Sequence, residues 1–551
     1  MLLGYVSDEN YSALLDVVVE FEREGDPVMV VTSSPRGAIY GELPAGEYRV
    51  TLAKPGYGAK SVDALLAPDD LPIHFRLLSD SLYGYAWPKW IEAGGTSECR
   101  VHSPEPYHLT LWRYGQRKEL VRPIGWFDEH GPRANLQILP DGDFTQTGVE
   151  WNRHGYNAAS LRVAAPQRSG LYYVHAETPS GKFLSFPWVV APAAPTAKVA
   201  VIASTNTWNA YNNFGGRSNY INATSLPSRP TVNARLDLGR YNGAYASVWQ
   251  FRDDEYTALS FDRPEPFNQI PKDVQLTDPI RGRQACHLAE TEWRLLGWLE
   301  REGFQYDLYA DHPLHTGRLD LESYEVVIIS THPEYWSRDA YQRLKQWVFE
   351  RGGKLMYLGG NGIDCEVEFA NDGSSMRCRT WLPVPPGVPF TDIETGARLD
   401  CRFHRTVESP AELLGVVFTE SGAATGAPFR ALDASHWIFD QTGLKNGDIF
   451  GQNSLHERCP GGASGHETDK RTPSSPPGMM PLARGMNADE GGAEMIYHET
   501  KSGGAVFSVG SIAWSACVLV DDACSRITKN VLERMLLKSK VTSTVTAARR
   551  G

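Results

Sequence analysis

Cysteine is scarce. The chain carries eight in 551 residues, scattered and with no CxxC pair. This favours reduced thiols in a cytoplasmic protein over a disulfide framework or a zinc knuckle. Long apolar runs are missing as well: nowhere do about 18 apolar residues follow one another, so no membrane span is expected. The stretch MLLGYVSDENYSALL lacks the basic and apolar regions of a signal peptide, and none is expected. Positive charge is not in excess. A formal net charge of −12 argues against a nucleic-acid partner, which a basic face usually announces. Several catalytic signatures are also absent. There is no GxSxG, no GxxxxGK[ST] and no HExxH, and GGNG is not a GxGxxG fingerprint. Serine nucleophiles, phosphate loops and helix-borne zinc sites therefore lose ground.

What remains is a globular composition, 41% hydrophobic and 22% charged, on a chain long enough for two to four domains. Residues 1–80 include GAIYGELPAGEYRVTLAKPGYGAKSV, strand-formers broken by PAG and PGYG turns. This predicts a small β-sandwich, similar in outline to a carboxypeptidase-regulatory module. Residues 81–192 contain YHLTLWRYG, ASLRVAA, GLYYVHAET and FLSFPWVV, which predict a second sandwich. APAAPTA at 191–197 reads as a linker.

From Lys198 the pattern changes. KVAVIAST, FQYDLYAD, YEVVIIST, KLMYLGGNG and AVFSVGS read as strands. HLAETEWRLLGWLEREG (287–303) reads as a helix with Leu288, Leu295 and Leu299 on one face, ending at Gly303. A further helix starts at Ser337, a good N-cap. Alternating strands and helices predict a parallel sheet covered on both faces, an α/β domain over 198–540. Residues 541–551 are expected to be a disordered tail.

Open parallel sheets bind ligands beyond the carboxyl ends of their strands. Here those ends carry Trp208, Tyr211, Asn212 and Arg217, then Asp311, His312 and His315, then His332, Glu334 and Tyr335. Asn361 and Asp364 follow, and GSIAW adds Ser511 and Trp514. Each has a plain structural role open to it: Glu334 as a first-turn carboxylate, His332 bonding a loop, Trp208 and Tyr211 as packing aromatics. A carboxylate among tyrosines and histidines also suits a hard, oxygen-rich metal site.

The blocks NTWNAYNNFGGRSNY, LSFDRP, WRLLGWLEREG, THPEYWS, YLGGNG, SGHETD and AVFSVGSIAW…SRITKNVLERML, in that order, resemble the large subunit of the N,N-dimethylformamidase family over about residues 198–540. The resemblance implies a flavodoxin-like, class I glutamine-amidotransferase-like catalytic domain without the nucleophilic cysteine. It implies an iron-dependent amidohydrolase acting on a small N-substituted amide or formamide, with a mononuclear Fe(3+) held by two tyrosines and a glutamate. Carried over by motif, the ligands are Tyr211, Glu334 and Tyr256, with Tyr245 and Tyr241 as competitors for the last place. His332 and Glu467 are implied as catalytic groups, and Trp208, Asn361 and Trp514 as substrate-binding residues. A separate small subunit and homo-oligomeric assembly are implied as partners. Two other readings stay open: a divalent-metal hydrolase using His312, His332 and Glu334, and a non-catalytic binding or assembly protein.

Overall fold

A computed structural model describes residues 1–67, 71–127, 139–151, 162–232, 251–280, 286–381, 391, 396–488 and 490–537. The expected tail at 541–551 and the candidate ligands Tyr241 and Tyr245 lie outside these residues. The structure is rich in strands and has few helices. Among the described residues no helix is long and apolar enough to cross a membrane. All eight cysteines are free and buried.

Two β units come first. Strands within Leu2–Arg76 form one sheet of four strands and one of three, closing over Val19, Phe21, Val50, Leu52 and Phe75. Strands within Tyr83–Ala191 form a five-stranded and a three-stranded sheet around Leu109, Leu111, Val174 and Trp188. Buried and less buried side chains alternate along Gly46–Lys54 and Tyr107–Tyr114, the period-2 pattern of a half-buried strand, whereas Gly170–Glu177 and Phe183–Ala191 are buried along nearly their whole length.

The third unit is built on a nine-stranded sheet. Its first strand in sequence, Val199–Ala203, lies between Asp307–Ala310 and Val326–Thr331; Lys354–Gly359 and then Ala505–Ser508 follow, all parallel. The order of these five is therefore second, first, third, fourth, fifth. Glu494–Glu499 adds antiparallel to the last, and short strands at Ala483–Gly485, Phe429–Ala431 and Ile449–Phe450 extend the edge.

Two cores explain why the parallel strands read as unbroken apolar runs. Val199, Val201, Val326, Ile328, Met356 and Phe507 pack on one side with Trp293, Leu296, Leu299, Val531 and Leu532. Their neighbours Ala200, Ile202, Val327, Ile329, Leu355 and Val506 pack on the other with Tyr341, Leu344 and Val348. Both faces of each strand are dry, so alternation disappears. The helices Ala289–Arg301 and Asp522–Leu536 cover the first side and Arg338–Glu350 the second. Ser337 accepts from the Ala340 amide and Asp521 from the Cys524 amide, caps worth about 1 kcal/mol each.

The β units are fastened to this third unit by buried polar contacts. Lys89 pairs with Glu265 at 2.5 Å, Arg100 with Asp262 at 2.7 Å, and Arg113 with Glu300. Arg76, fully buried, donates to the carbonyls of Asp8, Gly142 and Gly215. Gly215 lies in the loop between the helix Thr205–Tyr211 and Tyr220, so the first β unit holds that loop through Arg76.

Candidate active site

At the carboxyl edge of the sheet the chain leaves its strands abruptly. Thr331 ends its strand at φ +63°, and Asn361 (φ +48°), Ile363 (φ +57°) and His466 (φ +69°) are likewise in the left-handed region. β-branched residues rarely adopt it, and such strain clusters where packing fixes a functional geometry. Between these points run His332, Pro333 and Glu334. The Pro333 carbonyl accepts from Ile363, the Glu334 carbonyl accepts from Asp364 and Cys365, and the Glu334 amide donates to Thr207 Oγ1 at 3.1 Å. The backbone of residue 334 is thus held from three sides. Gly360 is required beside it: a Cβ there would lie 2.6 Å from the Glu467 carbonyl oxygen and from the Ile512 nitrogen.

Onto this frame the short helix Thr205–Tyr211 brings Tyr211, and the loop after it brings Tyr220. Tyr211 Oη donates to Glu334 Oε2 at 3.1 Å. Tyr220 Oη lies 2.8 and 2.9 Å from the two Glu334 oxygens and 2.9 Å from Tyr211 Oη. Tyr335 Oη donates to Tyr220 Oη at 2.8 Å. Three phenols and a carboxylate therefore meet in one buried cluster. On its open side, His332 Nε2 lies 3.2 Å from Glu334 Oε2 and 3.1 Å from Glu467 Oε2. Asn361 Nδ2 donates to the same Glu467 oxygen at 2.8 Å. Glu334 and His332 are 3% and 1% exposed and Glu467 is 23% exposed, so solvent reaches the cluster over Glu467.

The electrostatics follow from this burial. Glu334 is pushed up to about 7, chiefly by burial and further by the charges of Glu467 and Asp364, against the pull of His332. Burial, then Glu334, holds Tyr211 and Tyr220 well above the usual phenol range. Glu467 behaves differently. Burial would raise it, but His332 and the hydrogen bond from Asn361 bring it below the ordinary glutamate value. His332 is disfavoured as a cation by burial, yet the two carboxylates raise it above the usual imidazole value. The result is one carboxylate that resists ionisation and one that stays ionised, about a shared imidazole.

The donor set fits a hard, highly charged cation. Oxygens 2.8–3.1 Å apart have the spacing of neighbouring ligand atoms around a small ion with bonds of about 2.0–2.1 Å. Buried phenols ionise near neutrality only beside such a charge. Glu334, Asp364 and Cys365 also approach closely enough to share an ion, but Asp364 Oδ2 is taken up by Arg402 Nη1 at 2.6 Å.

The structure brings together Tyr211, His332, Glu334, Asn361 and Glu467, and it places three other candidates elsewhere. Tyr256 is buried against Phe251, its phenol held by Thr380, and among the described residues the second phenol at Glu334 is Tyr220. Trp208 is 3% exposed and gives its indole N–H to Glu292 at 3.0 Å in the core. Trp514 is fully buried, its ring edge-on to Phe429 and its N–H on Thr528. Large indoles gain more from burial than from lining a polar cavity. His312 packs on Trp90 and Phe369 away from His332, which removes the geometric basis for a His312–His332–Glu334 site. Sequence reasoning also missed His287 and His466, whose rings follow one another outward from Tyr211.

Two substitutions check these placements. Arg217, fully buried, holds the Tyr220 loop by pairing with Asp143 at 2.8 Å and donating to the Ala223 and Ala258 carbonyls. Arg217→Met is expected to cost about 3–5 kcal/mol in denaturant unfolding, the range for stranding a buried charge. Trp208→Phe leaves Glu292 short of a donor and is expected to cost about 1–3 kcal/mol. A change in KM without loss of stability would instead return Trp208 to the substrate site.

Comparison with known proteins adds the family. The profile described as N,N-dimethylformamidase beta subunit-like, C-terminal, matches residues 112–525 and so reaches back into the second β unit. The N,N-dimethylformamidase beta subunit of Paracoccus aminophilus is 29% identical over 285 residues, 44% of this chain and 36% of that protein. The beta subunit of the same name from Alcaligenes sp is 28% identical over 285 residues, with the same shares. The chain spans little more than a third of the length of these curated relatives. Among solved structures, the fibronectin(III)-like modules of Clostridium thermocellum CbhA align over 35% of this chain at 11% identity and a TM-score of 0.12, too low to bear on the fold. With the family profile matched along about three-quarters of its length, the chain belongs to the N,N-dimethylformamidase beta subunit-like, C-terminal family.

Proposed function

We propose that this protein hydrolyses the C–N bond of a small, non-peptide amide, an N-substituted formamide being the nearest precedent, at an iron site held by Tyr211, Tyr220 and Glu334. The observation that carries the reading is the meeting of these three side chains beside Glu467 in a member of this family. Two phenolates and a carboxylate bring three negative charges, which match a mononuclear Fe(3+) better than a divalent ion. When bound, such an ion supplies Lewis acidity toward an amide carbonyl and toward water.

The remaining steps belong to the chain. Asn361 Nδ2 and His332 Nε2 both lie against Oε2 of Glu467, and its other oxygen, Oε1, is assigned as the base that takes a proton from the attacking water. The same oxygen returns that proton to the departing amine. His332, with Nε2–H between Oε2 of Glu334 and Oε2 of Glu467, keeps the two carboxylates in register. Asp469 sets Asn361 in place by accepting its amide at 2.7 Å, and Tyr357 Oη donates to the other Asp469 oxygen at 2.6 Å. No covalent intermediate is needed.

The frame for this chemistry is a flavodoxin-like, glutamine-amidotransferase-like sheet, a reading supported by the order of its five parallel strands. The relatives are named as beta subunits, which supports assembly with a second kind of subunit. Eight free, buried thiols support a cytoplasmic setting. The test is an amide panel with detection of released amine, run on protein of known iron content. Turnover proportional to iron is expected, and turnover independent of it would refute the reading.

A further inference from the structure

A contact at the mouth of the site cannot be satisfied as it stands. Arg458 Nη1 lies 2.6 Å from His466 Nε2, and His466 Nδ1 lies 3.0 Å from His456 Nε2. At the far end the Cys459 amide donates to His456 Nδ1 at 3.0 Å. A guanidinium only donates, and so does a backbone amide. His466 Nε2 and His456 Nδ1 must then both be bare acceptors. Each neutral ring carries its single proton on the other nitrogen, and those two nitrogens face each other. Two N–H groups would point at one another across 3.0 Å. Burial first, then the surrounding histidines and arginines, holds both rings neutral, with His456 pushed down to about 3. Adding a proton would only supply another donor. No assignment of one proton per ring satisfies all three contacts.

The conflict ends if one outer donor leaves. The Cys459 amide is backbone, and His456 and His466 are 1% and 3% exposed. Arg458 is exposed and, among the described residues, pairs with no carboxylate. It sits close enough for its charge to favour the ionised form of Glu467, the residue next to His466. The site itself is anionic: Glu334 and Glu467 flank it, and Arg402 is already bound to Asp364. With a trivalent ion balanced by two phenolates and Glu334, the charge of Glu467 remains, and a carboxylate released there would be repelled by it unless a second cation met it.

We propose that Arg458 is the carboxylate-binding residue of this site: its guanidinium leaves His466 and takes the small carboxylate produced by amide hydrolysis in a two-point hydrogen bond. The inference rests on the amide-hydrolysis reading for the identity of the anion.

The test is calorimetric titration of sodium formate, sodium acetate and sodium chloride into the purified full chain, wild type against Arg458→Gln and Arg458→Lys. Melting temperatures are recorded alongside. Formate is expected to bind the wild type, at least tenfold more weakly to Arg458→Gln, and to an intermediate degree to Arg458→Lys, with chloride weaker than either carboxylate throughout. Unchanged formate binding by Arg458→Gln, or chloride binding equal to formate, would overturn the proposal. A change confined to the melting temperature would do the same, because it would leave Arg458 a packing residue. Failure of the hydrolytic reading would show separately, as absent amine release from a protein that still binds formate through Arg458.

Discussion

Glu334→Gln is expected to empty the site. The carboxylate offers both oxygens to Tyr211 and Tyr220 and is the one acidic side chain in direct contact with both phenols among the described residues. A glutamine keeps the shape but replaces one oxygen by an N–H₂ donor and removes a negative charge. Changes to groups that merely support metal ligands cost 10–100-fold in affinity, so loss of a ligand should exceed about 100-fold. Iron measured per chain after purification should fall toward zero, and amide turnover with it. The second phenol gives the sharper comparison. Tyr220→Phe should lose iron almost as completely, whereas Tyr256→Phe should retain it, because Tyr256 packs against Phe251 instead. Retention of iron by Tyr220→Phe would move the second ligand elsewhere in the chain.

Glu467→Gln should separate binding from chemistry. Glu467 touches neither phenol; its contacts are His332 and Asn361. Iron content and fold should therefore survive. The amide side chain can still accept from Asn361 or His332, but it has no basic oxygen to take a proton from water. General acid–base groups contribute about 10²–10⁴-fold, and kcat is expected to fall by that factor with KM little changed. If iron were lost along with kcat, Glu467 would be a ligand and the division of labour proposed here would be wrong.

The difference between the two glutamates comes from their neighbours. Glu334 lies deep, against phenols that offer it only neutral hydrogen bonds, and burial raises it to about 7. Glu467 has a histidine and an asparagine on one oxygen and is partly exposed, and its carboxyl is held below the ordinary glutamate value. A cation at the phenols would lower Glu334 and both tyrosines together without altering Glu467's partners.

Much of this was legible in the sequence, for a physical reason. The strands KVAVIAST, YEVVIIST and KLMYLGGNG are buried on both faces, so they stand out as apolar runs whose ends can be located. Once the ends are located, His332, Glu334 and Asn361 fall on one edge. Tyr211 came through its motif, and Tyr220 lay nine residues on, at the close of the same block NTWNAYNNFGGRSNY. A loop rather than a strand end carries Tyr220, and its position depends on Arg217 and on the first β unit, which no local pattern reveals. His287 and His466 come from segments about 180 residues apart and meet only through the tertiary fold. The orientation of Trp208 and Trp514 was not legible, because an aromatic beside a strand end can turn to a ligand or to the core, and these two turn to the core. The antiparallel edge of the large sheet was not anticipated; most of its added strands are two or three residues long, too short for alternation to register.

The central claim is that Tyr211, Tyr220 and Glu334 hold one ferric ion. The most direct measurement is iron analysis together with an optical spectrum of freshly purified protein. The account predicts about one iron per chain and a visible tyrosinate-to-iron charge-transfer band that disappears in Tyr220→Phe. A colourless, iron-free protein that hydrolyses amides would contradict it.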